Sequence, residues 1–293
     1  MFRRILWHIN RSPVVHIIKW VLRVLASRKV DARRRLTRLL PTDSEISAAA
    51  DLLATNGYVI LDKVIDPEAL QELSRAGEAK MARCTVAAAK QASTHKAFWT
   101  RLLDEDMEQG MLPSNSPFVS FAIQPAVLSV LSRRLGELPQ LDYVLLTLSH
   151  GDSKELAYSQ LWHRDHDDVR TIKLFVYLTD VISEADGPFT FLPAHVSDRF
   201  GFSIKSHRRD SEILPRVKCA DVIAMMAPRL TTFMVETSRC LHMGSRMTPG
   251  HERLLYTATF ITVPRLYPEP SSRFRLTGHE DEVVMSALRP GAF

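Results

Sequence analysis

Beyond Asp142 the chain changes from helical patterning to a series of short β-rich runs: Tyr143 to Leu148, Thr171 to Leu178, Phe189 to Leu192, Leu230 to Val235 and Leu254 to Val263. Val, Ile, Phe, Tyr and Thr dominate these runs, and polar or Gly/Pro-containing segments break them, as a pleated and partly buried surface requires. Ahead of them the signals are helical. Asp43 caps a helix carrying Ile46, Ala49, Ala50, Leu52 and Leu53, and Asn56-Gly57 ends it. Tyr58-Val59-Ile60-Leu61 reads as a strand. Asp66-Pro67-Glu68 combines an N-cap, a Pro at the first helical position and an acid in the first turn, which predicts a helix from Pro67 to Arg83. Two further helical stretches are expected near His95 to Met107 and Pro125 to Leu135. Helices first and strands later define an α+β layout with a mainly β core, and strands this short suit a double-sheet barrel.

With 45% hydrophobic and 24% charged residues, a chain of 293 residues can bury a large core and lies outside the disordered range. No linker or internal repeat divides the body. Cys84, Cys219 and Cys240 are too few and too scattered for a disulfide framework, which points to a reducing, cytoplasmic setting.

Charge divides the chain unevenly. Residues 1–40 hold eleven Lys or Arg against the single acid Asp31, a net of +10, and the remainder carries −5. The basic character therefore belongs to an arm, residues 1–42, and not to the body at 43–293, so no nucleic-acid partner is expected. In the arm, Val14, Ile17, Ile18, Val21, Leu22, Val24 and Leu25 follow helical spacing, with His16, Lys19 and Arg23 on the opposite side. Lys19 and Arg23 interrupt the best candidate for a membrane span. Three readings stay open for this basic amphipathic helix. It lies peripherally on an anionic membrane with its arginines at the headgroups, or it packs on the body with a solvated basic face, or it is an Arg-rich targeting segment.

The chemistry concentrates downstream. His163-Arg164-Asp165 follows a strand expected around Tyr158 to Trp162, and in such an extended tripeptide residues two apart project to one face, so an imidazole and a carboxylate reach a common point. Two His and one carboxylate on one face of an octahedral metal leave three open positions, the arrangement of non-haem Fe(II) oxygenases. His242 lies 77 residues beyond Asp165, after the Leu230 to Val235 run, and Arg253 begins the last strong strand 11 residues later. A guanidinium fork inside a barrel can hold a carboxylate bidentately.

With these residues in place the sequence resembles the phytanoyl-CoA dioxygenase family over about residues 43 to 265. The resemblance rests on Asn56-Gly57-Tyr58-Val59-Ile60-Leu61 with Asp66-Pro67-Glu68, on Trp162-His163-Arg164-Asp165, and on Leu174-Phe175-Val176-Tyr177-Leu178 with Asp180-Val181. Gly187-Pro188-Phe189, Pro193-Ala194-His195, His242 and Arg253 extend it, although Ala194 stands where the family usually has Ser and a Gly is missing beside it. The resemblance implies a double-stranded β-helix (jelly-roll, cupin-like) core with flanking N-terminal helices. It implies Fe(II) on His163, Asp165 and His242, and 2-oxoglutarate chelating that metal with its far carboxylate on Arg253. It further implies O₂ at the last position and hydroxylation of an unactivated C–H bond in a small-molecule substrate, lipid-like or anionic. Asp165 argues against the halogenating branch, which lacks the carboxylate.

Competing roles exist for several residues. His166, His195, His207 and His251 are rivals for the third ligand, with His195 the strongest. Asp167 and Asp168 add carboxylates that suit a hard cation. Lys173, eight residues past Asp165, either contacts oxoglutarate or a substrate anion inside the barrel or snorkels at the surface. Gln160 alternates with Trp162 ahead of the metal pair and is a candidate substrate contact, whereas Cys240 reads as a small buried hydrophobe. The basic stretch Arg199 to Arg209 is a candidate mouth for an anionic substrate or a solvated loop. Two other functions remain in view: an inactive jelly-roll binding module tethered to a membrane by its arm, and a non-oxidative metal-dependent hydrolase, for which Arg253 has no use.

Overall fold

The computed structural model describes residues 12–84, 99–151, 155–201, 205–266 and 273–289. Four N-terminal helices come first: α1 (Val14–Leu25), α2 (Ser27–Leu36), α3 (Ser44–Asn56) and α4 (Pro67–Arg83). The Asp43 carboxylate accepts from the Ile46 N–H at 2.7 Å at the start of α3, and Asp66 accepts from the Glu68 N–H at 3.0 Å at the start of α4. Gly57 ends α3 at φ 79°, where a Cβ would sit 2.5 Å from the Cys240 sulfur and 2.9 Å from the Ala194 Cβ. Only glycine serves there, and the turn consequently packs directly behind the strand that carries His242.

The strands are β1 (Tyr58–Ile60), β2 (Trp99–Arg101), β3 (Leu112–Pro113), β4 (Gln140–His150), β5 (Trp162–His163), β6 (Thr171–Tyr177) and β7 (Phe189–Phe191). They continue with β8 (His207–Arg208), β9 (Ile223–Met225), β10 (Thr232–Val235), β11 (His242–Met243), β12 (Glu252–Ile261) and β13 (Phe274–Arg275). A six-stranded sheet runs β1-β10-β6-β12-β4-β2, a five-stranded sheet runs β8-β5-β11-β7-β9, and both are antiparallel throughout. These two sheets form the jelly-roll core, with the helices packed on the outside of the larger one.

Strand parity sorts the core. Leu174, Val176, Leu254, Tyr256 and Ala258 point out to the helices, and Phe175, Tyr177, Phe233, Val235 and Leu255 point into the barrel with Phe189 and Phe191. Each fully buried side chain of this size contributes ~1.5–3 kcal/mol by leaving water, so both faces of the larger sheet are strongly determined. The same parity turns Lys173 and Arg253 inward.

Two local expectations are corrected. Trp99–Arg101 is a strand, not part of a helix over His95 to Met107, because it pairs with the open edge of β4; residues 95–98 of that stretch lie outside the described residues. Tyr158–Gln160 is a 3-10 turn in place of a strand, held by the Ala157 N–H donating to Gln160 Oε1 at 3.1 Å.

The arm helix forms over the expected residues in the reverse orientation: its basic face is turned to the body. Lys19, only 4% exposed, donates to Asp168 Oδ2 at 2.5 Å and to the carbonyls of Thr262 and Pro264. Arg23 forks onto both oxygens of the buried Glu137 at 2.9 and 2.5 Å. On α2, Arg33 gives its guanidinium to three carbonyls, those of Leu138, Pro139 and Ser286. The body presents carboxylates and carbonyls at this seam, and they can be satisfied only by donors.

Candidate metal centre and oxoglutarate site

His163 on β5 and His242 on β11 are directly paired across the smaller sheet, their ring centroids 4.2 Å apart. Asp165 follows β5, its N–H donating to the Thr237 carbonyl at 3.0 Å. Ligand atoms of His163, Asp165 and His242 lie within 4.8 Å of one another, the only such cluster among the described residues. His163 Nδ1 is 2.8 Å from the Leu161 carbonyl and His242 Nδ1 is 3.0 Å from that of Cys240. Each Nδ1 therefore carries the proton, and each Nε2 lone pair faces the Asp165 carboxylate, at 3.8 Å from Oδ1 for His163 and 3.6 Å from Oδ2 for His242.

The electrostatics suit a cation. Burial, reinforced by the neighbouring imidazole, holds His163 well below the ordinary histidine value, and burial also lowers His242, so both rings are neutral ligands. Burial alone raises the Asp165 pKa, but Lys173 and the two imidazoles override it and keep the carboxyl well below the usual carboxylate range. Lys173 Nζ lies 2.8 Å from Asp165 Oδ2. Lys173 thus points into the barrel and does not snorkel at the surface, and its charge is engaged by Asp165. Two neutral imidazoles and one ionised carboxylate on one side of a point fit a non-haem iron with open positions.

A chamber of about 300 Å³ opens from these three residues into the barrel, lined also by Tyr143, Lys173, Phe189, Ser245 and Arg253. Arg253, 2% exposed, donates through Nη1 to the Gly187 carbonyl and through Nη2 to Ser245 Oγ at 2.8 Å, and its Nε has no partner. No carboxylate pairs with this buried guanidinium among the described residues. Gly187, at φ 63°, has no room for a side chain because a Cβ would meet Met247 Cγ at 2.3 Å, which lets its carbonyl approach the arginine.

The sequence reading missed Ser245. This residue, at φ 58°, accepts from Arg253 through its hydroxyl and from Gln160 Nε2 through its carbonyl at 2.9 Å, so Gln160 braces the arginine's support. Nothing about a lone serine after Met243-Gly244 signals that task. The rivals disperse. His195 is exposed on the Ala194–Ser197 helix, His251 pairs with Asp186 at 2.8 Å, and His207 lies beside His163 with ring centroids 5.4 Å apart without joining the cluster. Asp168 is taken by Lys19. Cys240 is fully buried in the apolar cluster with Phe191 and Ala194, where burial pushes its thiol up to about 12.

The chain matches no family model and no curated protein. Solved structures resemble it strongly in fold and weakly in sequence. EctD from S. alaskensis, solved with 2-oxoglutarate and 5-hydroxyectoine, is 15% identical, with 77% of this chain and 78% of that one covered at a TM-score of 0.54. The fold is shared with 2-oxoglutarate-dependent enzymes. The non-heme alpha ketoglutarate dependent epimerase SnoN from nogalamycin biosynthesis is 17% identical over 84% of this chain and 94% of its own, with a TM-score of 0.50. AviO1 from Streptomyces viridochromogenes Tue57 is 12% identical over 78% of this chain and all of its own, at 0.52.

Proposed function

We propose that the protein is an Fe(II)- and 2-oxoglutarate-dependent oxygenase of phytanoyl-CoA dioxygenase type that hydroxylates an unactivated C–H bond of a small anionic molecule. The observation that carries the reading is the buried Arg253 guanidinium, which has no acidic partner and faces the same chamber as the His163, Asp165 and His242 cluster. A buried charge without a counter-ion is costly, and a dicarboxylate reaching from the metal to Arg253 supplies one.

His163, Asp165 and His242 would hold the iron, which, with oxoglutarate and O₂ bound, supplies oxidation of a C–H bond while the co-substrate is converted to succinate and CO₂. The protein's own part is positional. Arg253 orients the far carboxylate, and Gly187 and Ser245 fix the arginine. Phe175 and Phe189 on the chamber wall keep water scarce, and Lys173 holds Asp165 ionised.

A second cavity of about 250 Å³ also reaches His163 and Asp165, between residues 205–208 and the first turn of the arm helix. Arg164, His166, Lys205 and Arg208 line it, and of the two carboxylates there Asp168 is consumed by Lys19. Arg208 makes no ion pair among the described residues; it lies over the Phe200 ring at 5.8 Å, and Arg216 lies over the same ring at 4.5 Å. Lys205 is engaged by Glu212 at 2.7 Å, so it is Arg164, which meets only carbonyls, and Arg208 whose charges support an anionic substrate. Val15 and His16 of the arm complete the wall, so the arm contributes to substrate selection.

Anaerobic titration of the full chain with Fe(II) and then 2-oxoglutarate tests the reading. The chelate should give a visible charge-transfer band that Arg253→Met weakens at fixed oxoglutarate. Iron binding with no oxoglutarate-dependent band would refute it and favour a hydrolytic metal site.

A further inference from the structure

Because Lys19 and Arg23 of α1 are spent on Asp168 and Glu137, the helix presents its apolar side to solvent. Ile17 is 63% exposed, Trp20 65%, Val24 54% and Leu25 75%, and Val14 and Val21 continue the same stripe. Six large apolar side chains on one helical face are a contiguous patch of the kind that marks an interaction surface and not scattered exposure. One turn further along the chain the chemistry changes sign. Arg28, Lys29, Arg35 and Arg38 are exposed and make no ion pair among the described residues. Residues 1–11, considered as sequence only, add Phe2, Ile5, Leu6, Trp7 and Ile9 with Arg3, Arg4 and Arg11, and no acid.

We propose that the apolar face of α1 inserts into the surface of an anionic lipid bilayer, with the unpaired cations of α2 and its C-terminal turn against the headgroups. An apolar stripe, an indole and flanking cations that outnumber the single acid Asp31, itself paired with Arg34, are the elements of an interfacial helix. The geometry differs from a freely amphipathic peptide, because the polar side of the helix is occupied by the protein body. The body thus serves as the aqueous phase for Lys19 and Arg23. Charge disfavours a second copy as the occupant. Two copies related by a two-fold axis would bring the same unpaired cations together, and like charges facing across an interface are repulsive. The body, at −5, is repelled by an anionic surface, so contact is confined to the arm.

Co-sedimentation of the full chain with vesicles tests the assignment, using phosphatidylglycerol mixed with phosphatidylcholine against phosphatidylcholine alone. Full-length protein should pellet with the anionic vesicles, and less so in high salt. Ile17→Glu with Val21→Glu, at exposed positions outside both cavities, should weaken binding at least about tenfold while the unfolding midpoint is unchanged. Arg28→Ala and Lys29→Ala should each cost about fivefold. Three outcomes would overturn the proposal: no affinity of the full chain for anionic vesicles, equal affinity of the double Glu variant, or affinity that emerges only after removal of residues 1–11, which would show that this segment covers the face. A concentration-dependent dimer that the double Glu variant converts to monomer would likewise assign the face to a second copy. None of these measurements depends on turnover, so failure here leaves the oxygenase reading untouched.

Discussion

Lys19, near the middle of the first arm helix, donates to Asp168 at 2.5 Å in a site almost closed to water, three residues beyond Asp165 of the candidate metal cluster. The pair joins the N-terminal arm to the loop that follows β5. Burial lowers the Lys19 pKa and Asp168 opposes that shift, while burial pushes Asp168 up to about 6 against the pull of Lys19.

Removing one member of such a pair strands the other. Lys19→Met should destabilise the protein by about 3–5 kcal/mol, because Asp168 then remains buried without its partner. Lys19→Met combined with Asp168→Leu should recover most of that loss. Urea unfolding of the three proteins measures both effects, and a single variant within about 1 kcal/mol of wild type would mean that the seam is solvated.

The ligand assignment is tested by difference. Asp165→Ala or His242→Ala should abolish iron binding and oxoglutarate decarboxylation, since each removes one of three protein ligands. His195→Ala, on an exposed site, should spare both. Iron content by atomic emission after reconstitution decides between them.

Arg253→Lys keeps a charge but loses the two-pronged fork and both present anchors, the Gly187 carbonyl and Ser245 Oγ. The oxoglutarate requirement should rise about 10- to 150-fold, matching the ~1.5–3 kcal/mol of a charge-assisted hydrogen bond, with iron affinity unchanged. Ser245→Ala should give a smaller rise of about fivefold. Saturation curves for succinate formation report both, and an unchanged curve for Arg253→Lys would place the carboxylate elsewhere.

Protons and metal compete for the same Nε2 atoms. Burial depresses both imidazole pKa values, so the competition begins below the ordinary histidine value of ~6.5 and not at it. Anaerobic Co(II) affinity should therefore stay flat as pH falls through ~6.5, and weaken only well below it. A tenfold loss per pH unit that sets in directly below pH ~6.5 would show that the imidazoles are solvated and normal.

Local chemistry made much of this protein legible. Asp43, Asp66-Pro67 and Gly57 set helix ends through cap and φ requirements that act within a few residues, and those helices appear where the caps place them. The His163-Arg164-Asp165 tripeptide works the same way, since extended chain turns alternate residues to one face. Trp99–Arg101 escaped because a strand of three residues is fixed by the edge of β4 it completes, not by its own preference.

His242 and Arg253 were read from their order along the chain together with the family resemblance, and Lys173 from its place on the next strand, yet what they do for one another came only from folding. Sequence alone determined the His163-Arg164-Asp165 pair, the capped ends of the Ser44–Asn56 and Pro67–Arg83 helices and the amphipathic period of the arm, because each depends on residue type at short, regular spacing. The partner of Lys173, the hold of Ser245 on Arg253 and the direction of the arm's two faces were decided by tertiary structure. An amphipathic period states that a helix has two sides and leaves open which side faces the protein. That choice fell to Asp168 and Glu137, which lie 149 and 114 residues away from Lys19 and Arg23 and are buried where only a cation can satisfy them.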